Sequence, residues 1–311
     1  MKLIRGIQNI KKEDWDSILT IGNFDGVHLG HQYVLKKIKN IAKQYNKSIM
    51  IMLFEPQPLE FFKKLKSPTR LTPFHEKIKQ LFLLNIDSIL CIEFDIYFSS
   101  LTAINFIKNI LIKKLHISHL ILGYDCQFGA DKKGNIKLLK TIIKKNEFNI
   151  IQLKQHVLNN GTYISSTDIR KALLNNNFKL AESLLGRPFS ITGTISIYIH
   201  KNKNTEISTA IILLNNYSTP IYGMFSVIFT TKNQKKIIGI ANINKKTYQD
   251  KHLCIIHIHV KNIIYNLHSQ YIEIFFYKKM KNINYFKSIQ EEQQQLLNNI
   301  NKTKKYLNHY F

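Results

Sequence analysis

The segment Ile18-Leu19-Thr20-Ile21-Gly22-Asn23-Phe24-Asp25-Gly26-Val27-His28-Leu29-Gly30-His31 decides how the rest of the first half must fold. An apolar run, Ile18 to Ile21, ends in a glycine-punctuated loop. Val34, Leu35, Ile38, Ile41, Ala42 and Tyr45 then recur at the spacing of one helical face, leaving Lys36, Lys37, Lys39 and Lys43 for solvent. The stretch therefore reads strand, tight loop, helix, with His28 and His31 where the helix begins. A helix start presents unpaired N–H groups and the positive end of the dipole, which suits a phosphate. Gly22, Gly26 and Gly30 let backbone and ligand approach closely. Two imidazoles three residues apart, beside such a cradle, are placed to donate hydrogen bonds to a phosphate that gains charge during reaction. Spacing alone leaves a metal site or an ordinary glycine-bearing turn open.

The alternation continues downstream. Ser48 to Phe54 reads as a buried strand, closed by Phe54-Glu55-Pro56-Gln57-Pro58, where two prolines stop the ladder and predict a rigid extended loop. Thr72-Pro73 opens a helix toward Leu84. Ser88 to Phe94 is a strand and Leu101 to Leu115 a helix. Leu120-Ile121-Leu122 enters a second glycine-bounded loop, Gly123 to Gly129. A helix from Ile136 to Lys144 and a strand from Phe148 to Leu153 follow. Alternating strands and helices predict a parallel sheet covered on both faces, with ligands beyond the carboxyl ends of its strands. Ile164-Ser165-Ser166-Thr167-Asp168-Ile169-Arg170 then opens a helix, with Ser166 or Thr167 as its N-cap. Arg170, one turn in, has a fork that suits a phosphate.

Near Leu185-Gly186-Arg187-Pro188 the period changes. Ile191, Gly193, Ile195, Ile197 and Ile199 alternate with polar residues. Further strands are expected over Met224 to Thr230, Lys236 to Ala241, Ile255 to Val260 and Tyr271 to Tyr277. Several such strands suggest a small antiparallel β-barrel, and Ile289, Leu296, Leu297, Ile300 and Leu307 a closing helix. The division expected is a Rossmann-like α/β domain, residues 1–186, and a barrel domain with a C-terminal helix, residues 187–311.

The net charge is +25, yet only four of the 45 cationic side chains are arginine, and no dense basic block occurs. Lysine, isoleucine and asparagine are abundant everywhere, a pattern of compositional drift rather than of base and phosphate readout, so no nucleic-acid partner is expected. No run of eighteen apolar residues exists, so no membrane span is expected. The N-terminus lacks a signal-peptide core, and three scattered cysteines form neither a disulfide framework nor a zinc pattern. A cytoplasmic enzyme without a protein-held metal is the reading; oligomeric state is not legible.

The decapeptide GNFDGVHLGH resembles the H-x-G-H signature of nucleotidyltransferases, in the form used by bacterial bifunctional riboflavin kinase/FMN adenylyltransferases (FAD synthetases). Phe54–Pro58 resembles that family's F-x-P-x-P loop and Ile164–Arg170 its I-S-S-T-x-x-R motif. The resemblance implies FAD formation from ATP and FMN with Mg2+. His28, His31 and Arg170 would be catalytic. Gly22, Asn23, Phe24, Gly30, Ser165, Ser166 and Thr167 would hold ATP, and Phe54, Pro56, Pro58 and Asp125 would hold FMN. Tyr163 and Cys126-Gln127 depart from the family pattern. The second half resembles the riboflavin kinase barrel, which phosphorylates riboflavin with ATP. There Thr209 survives, but Ile211 replaces an asparagine, His257 falls where a general-base glutamate is usual, and Ile199-His200-Lys201-Asn202 replaces a glycine-rich loop. These motifs look degraded, and kinase activity is expected to be absent or severely reduced. Alternatives are a monofunctional FAD synthetase with a remnant barrel, another small-molecule adenylyltransferase, and a basic nucleic-acid-binding module. His257 and His259 share a strand face but lack an evident third metal ligand.

Overall fold

Short, continuous apolar runs bury both faces only when helices cover a sheet on each side, and four such runs, at 18–21, 49–53, 88–92 and 119–122, do so in the first half, while the edge strands at 2–5 and 149–152 stay partly exposed. The computed structural model describes residues 2–123, 126–143, 147–153, 164–199, 207–215, 217–231, 235–248, 251–261, 267–280 and 289–308. It divides into two units, residues 1–68 with 77–165, and residues 69–76 with 166–311.

In chain order the first unit supplies β1 (Lys2–Arg5), β2 (Ile18–Ile21), α1 (Leu29–Tyr45), β3 (Ile49–Glu55) and α2 (Pro58–Lys63). The helix α3 (Phe74–Leu83) spans the division. Then come β4 (Ser88–Glu93), α4 (Ile96–Ser99), α5 (Ala103–Asn105), β5 (His119–Leu122), α6 (Ile136–Ile142) and β6 (Asn149–Gln152). All six strands are parallel, ordered β1-β4-β3-β2-β5-β6. Leu19, Met50, Met52, Leu90, Leu120 and Leu122 pack one face against Phe106, Leu111, Leu115 and Leu139. The other face meets α1 through Leu35, Ile38 and Ala42.

Three local expectations need correction. The helix foreseen over Leu101 to Leu115 starts at Ala103, capped by Thr102, and continues over Phe106–Ile112 with wider i→i+5 hydrogen bonds such as Leu115 N–H to the Ile110 carbonyl. Pro58 does not extend the preceding loop. It is the first residue of α2, where its missing N–H costs nothing, and Glu60 caps back onto Gln57. Ser166 and Thr167 lie inside their helix, so the cap position falls on Ser165.

The second unit holds α7 (Ser166–Leu174), α8 (Phe178–Leu185), β7 (Ser190–Ile199), β8 (Ile207–Asn215), β9 (Gly223–Thr230), β10 (Lys236–Tyr248), β11 (Lys251–Lys261), β12 (Tyr271–Lys279) and α9 (Ile289–Leu307). Gly186, at φ 76°, terminates α8 as foreseen. The six strands close into an antiparallel barrel, ordered β10-β11-β8-β7-β12-β9. Ile191, Ile195, Ile212, Val227, Phe229, Ile256, Ile258 and Ile274 fill its interior. The alternation foreseen along β7 holds only to Ile195. The pairing with β8 shifts register between Ile195 and Ile197, and this bulge turns Ile197 and Ile199 outward to solvent. β8 was not foreseen as a strand. No helix among the described residues is long and apolar enough to cross a membrane.

Candidate active sites

In the first unit β2 lies between β3 on one side and β5 on the other, so the strand order reverses there. The loops beyond the carboxyl ends of strands at such a reversal form a ligand crevice. The loop after β2 is under local strain: Phe24 and Val27 have φ of 47° and 41°, a region that a β-branched residue rarely occupies. The turn delivers His28 to the N-cap of α1, where Nδ1 accepts the His31 backbone N–H at 3.3 Å. An accepting Nδ1 leaves the imidazole proton on Nε2.

The His28 and His31 rings stack at 3.7 Å between centroids, with Phe24 5.0 Å from His31. Burial, then the neighbouring His28 and Lys77, hold His31 well below the usual imidazole pKa, so it is neutral near pH 7. Its Nδ1 is buried without a hydrogen-bond partner. A buried polar atom left unpaired costs stability, and a ligand oxygen would satisfy it. Gly30 sits at a close approach: a Cβ there would lie a tight 3.1 Å from the His28 ring and 3.2 Å from the Ile164 carbonyl. The Ile164 end of the Ile164–Arg170 segment is thus laid directly against the start of α1.

The same end of the sheet carries a cavity of about 410 Å³. Ile21, Phe54 and Pro58 line it, with Phe62, Phe94, Phe98 and Phe128 supplying aromatic walls. Phe62 is 63% exposed despite its size. Pro56 is not among the lining residues, and Asp125 lies outside the described residues, as do Tyr163 and His200 to Asn202. Cys126 and Gln127 also line the cavity. The phenylalanines beyond Phe54 were missed because they come from four separate segments. Lys77 was missed too: it is 1% exposed and acts electrostatically on His31. A lysine on a helical face reads from sequence as solvated.

In the second unit, Ser166, Thr167 and Arg170 lie on the first turns of α7. Arg170 Nε donates to the Thr69 carbonyl at 2.6 Å. The arginine is therefore also a tie within this unit.

On the barrel, residues paired across strands share a face, so two rows run side by side on the outer surface. One is Met224, Asn242, His257 and Ile211; the other is Ser226, Ile240, His259 and Thr209. Thr209 Oγ1 and His259 Nδ1 are 3.0 Å apart, and the two histidine rings lie 6.4 Å apart. Burial pushes both histidines down, His259 to about 4. The helix α9 packs over this face, with Leu296 and Ile300 on Ile207, Met224 and Ile240, and Thr303 hydrogen-bonded to Ser226. No group of three or more His, Cys, Asp or Glu side chains among the described residues is arranged to hold a metal.

Known proteins match this arrangement along its length. A family model described as FAD synthetase matches residues 10–168, and one described as riboflavin kinase matches residues 185–307. The chain is 44% identical to a bifunctional riboflavin kinase/FMN adenylyltransferase of Buchnera aphidicola from Acyrthosiphon pisum, over 99% of each chain. It is 37% identical to the protein of the same name from Escherichia coli K12, over 95% of each. A solved structure described as a macrolide-efflux protein from Streptococcus pneumoniae superposes with a TM-score of 0.74 over 98% of each chain; at 22% identity this concerns the fold alone. The riboflavin kinase match runs straight through Ile211 and His257, so the comparisons give no support to reading that half as degraded. With both halves matched and full-length relatives of one name, the chain belongs to the bifunctional riboflavin kinase/FMN adenylyltransferase family.

Proposed function

We propose that this chain makes FAD in two steps, phosphorylating riboflavin with ATP on residues 187–311 and adenylylating the resulting FMN on residues 1–186. In the second step a phosphate oxygen of FMN attacks the α-phosphorus of ATP. The bond from that phosphorus to the bridging oxygen of the departing pyrophosphate breaks, with no covalent enzyme intermediate. Both reactants arrive charged, so catalysis rests on positioning and on stabilising charge that grows in the transition state.

The observation that carries the reading is the stacked histidine pair at the start of α1, with His31 Nδ1 buried and unpaired. His28, through Nε2, and the neutral His31 are donors for the α-phosphate. The Phe-lined cavity holds the isoalloxazine ring, with Phe54, Pro58 and Phe62 against it. Asn23 and Phe24 with the Gly22 and Gly30 backbone contact ATP, joined by Ser165, Ser166 and Thr167, while Arg170 takes the leaving pyrophosphate; Pro56 and Asp125 are assigned to the FMN side. Mg2+, which prefers phosphate oxygens and water to dedicated protein cages, would neutralise charge on the ATP phosphates. On the barrel, Thr209 and His257 belong to the kinase face.

The test is the purified full chain with ATP, Mg2+ and either riboflavin or FMN, products separated by chromatography. FAD from FMN and FMN from riboflavin are the expected products. Absence of FAD from FMN would refute the adenylyltransferase assignment, and absence of FMN from riboflavin the kinase assignment.

A further inference from the structure

The two outer rows of the barrel that carry His257 and His259 are short of one chemical function. Phosphoryl transfer to an alcohol needs a group that orients the hydroxyl and accepts its proton. The strand positions on that face offer Thr209, Ile211, Asn242, His257 and His259, and none of these is a carboxylate. His259 is tied through Nδ1 to Thr209.

A carboxylate reaches this face from α9. A cavity of about 610 Å³ opens between helix and barrel, lined by Asn242, Lys245 and His259 from the strands and by Glu292 and Leu296 from the helix. Glu292, Leu296 and Ile300 are spaced i, i+4, i+8 and so form one stripe of the helix. Leu296 and Ile300 are buried on the barrel. The stripe that seats α9 thus continues, past its buried part, with an exposed acid at the cavity. Glu292 makes no hydrogen bond or ion pair among the described residues. Its immediate neighbour Glu291 does have partners.

We propose that Glu292 is the proton acceptor of the riboflavin kinase reaction in this chain. The inference rests on the kinase assignment made above. The ribityl terminal hydroxyl lies in the cavity with its O–H toward the Glu292 carboxylate. Its oxygen attacks the γ-phosphorus of ATP and the bond from that phosphorus to the β-phosphate bridging oxygen breaks. ADP leaves with the bridging oxygen and the hydroxyl proton passes to Glu292. Lys245, the cation lining the same cavity, faces the phosphate, and the Asn242 amide and His259 line it from the strands, with Thr209 behind His259. The competing account is that Glu292 only complements the α9 dipole, being in the first turn with Glu291. That account gives both acids the same weight.

The experiment compares the full chain with its Glu292→Gln and Glu291→Gln variants, following riboflavin to FMN across pH 5 to 9, with FMN to FAD measured on the same preparations. Glu292→Gln should lower kcat for riboflavin phosphorylation by roughly 10²-fold or more, the scale of a general base, and flatten the acid limb of the pH profile. FAD formation from FMN should stay at wild-type rate, which shows that the chain is folded. Glu291→Gln should leave both reactions unchanged. Riboflavin phosphorylation by Glu292→Gln within threefold of wild type, or equal loss in both variants, would overturn the proposal while leaving the kinase assignment standing. No FMN from the wild-type chain itself would overturn the kinase assignment and this inference with it.

Discussion

Replacing His31 by Phe separates chemistry from packing in the first unit. The phenyl ring keeps the stack on His28, at 3.7 Å, and the contact with Phe24, at 5.0 Å, while both nitrogens are lost. Because Nδ1 is buried without a partner, its removal breaks no hydrogen bond and deletes a desolvated polar atom. Stability should therefore hold or rise slightly. Losing one donor aimed at developing phosphate charge costs about 2.7–4 kcal/mol, roughly 10²–10³-fold in kcat. His31→Ala should lose as much activity, and some stability through the void it leaves. The acid behaviour gives a second reading. A histidine whose folded pKa lies below its unfolded value contributes stability above pH 6.5 that is lost as pH falls toward the folded value. His31→Phe should thus lose less stability on acidification than wild type. The assay is FAD formed from FMN and ATP at saturation, with thermal melts at pH 7.5 and 5.5. Near-normal turnover by His31→Phe would refute the donor role, and a large drop in melting temperature would make the nitrogens structural.

Three further outcomes are expected. Arg170→Lys keeps the charge but loses the Nε–H donor to the Thr69 carbonyl, so it should raise the ATP requirement and also destabilise by about 1–2 kcal/mol; unchanged melting would show that this tie carries no weight. Phe62→Ala removes an exposed wall of the 410 Å³ cavity, so FMN affinity should fall about tenfold by fluorescence titration without change in melting, and unaltered affinity would move the flavin elsewhere. His259, held at about 4, is neutral in the fold while the unfolded chain takes up its proton near 6.5, so on the order of 2 kcal/mol of stability should vanish between pH 7.5 and 5; His259→Gln should show a flatter dependence in calorimetry, and equal pH slopes would refute the burial account.

What was legible in the sequence follows from how local each determinant is. The β2 loop and α1 could be read because strand, turn and helical stripe sit within 28 residues and each obeys its own period. The parallel sheet and the barrel followed from alternation patterns of the same kind. The bulge in β7 could not be read, since Ile197 and Ile199 are as apolar as Ile191 and Ile195, and only the pairing with β8 turns them outward. The wide helical turns over Phe106–Ile112 carry no compositional mark. Lys77 and the phenylalanines of the cavity become site candidates only through burial against distant segments, which no single-sequence period reports.

The barrel separates the residues that hold its fold from those that set the chemistry of its outer face. Ile256, Ile258, Ile212 and Ala210 point inward and are at most 1% exposed, so they hold the closed sheet. Thr209, Ile211, His257 and His259 occupy the alternate positions on the same two strands, where they contribute little to that interior. Substitutions at Ile211 or His257 would therefore leave the barrel's packing intact while changing the chemistry of its outer face. Further groups reach that face from elements that border it without belonging to its strands. Among the described residues the helix that does so is α9, seated by Leu296 and Ile300 and tied by Thr303 to Ser226. A change of charge on its barrel-facing stripe reaches the outer face without disturbing the interior, and the stripe's residue at the cavity is Glu292.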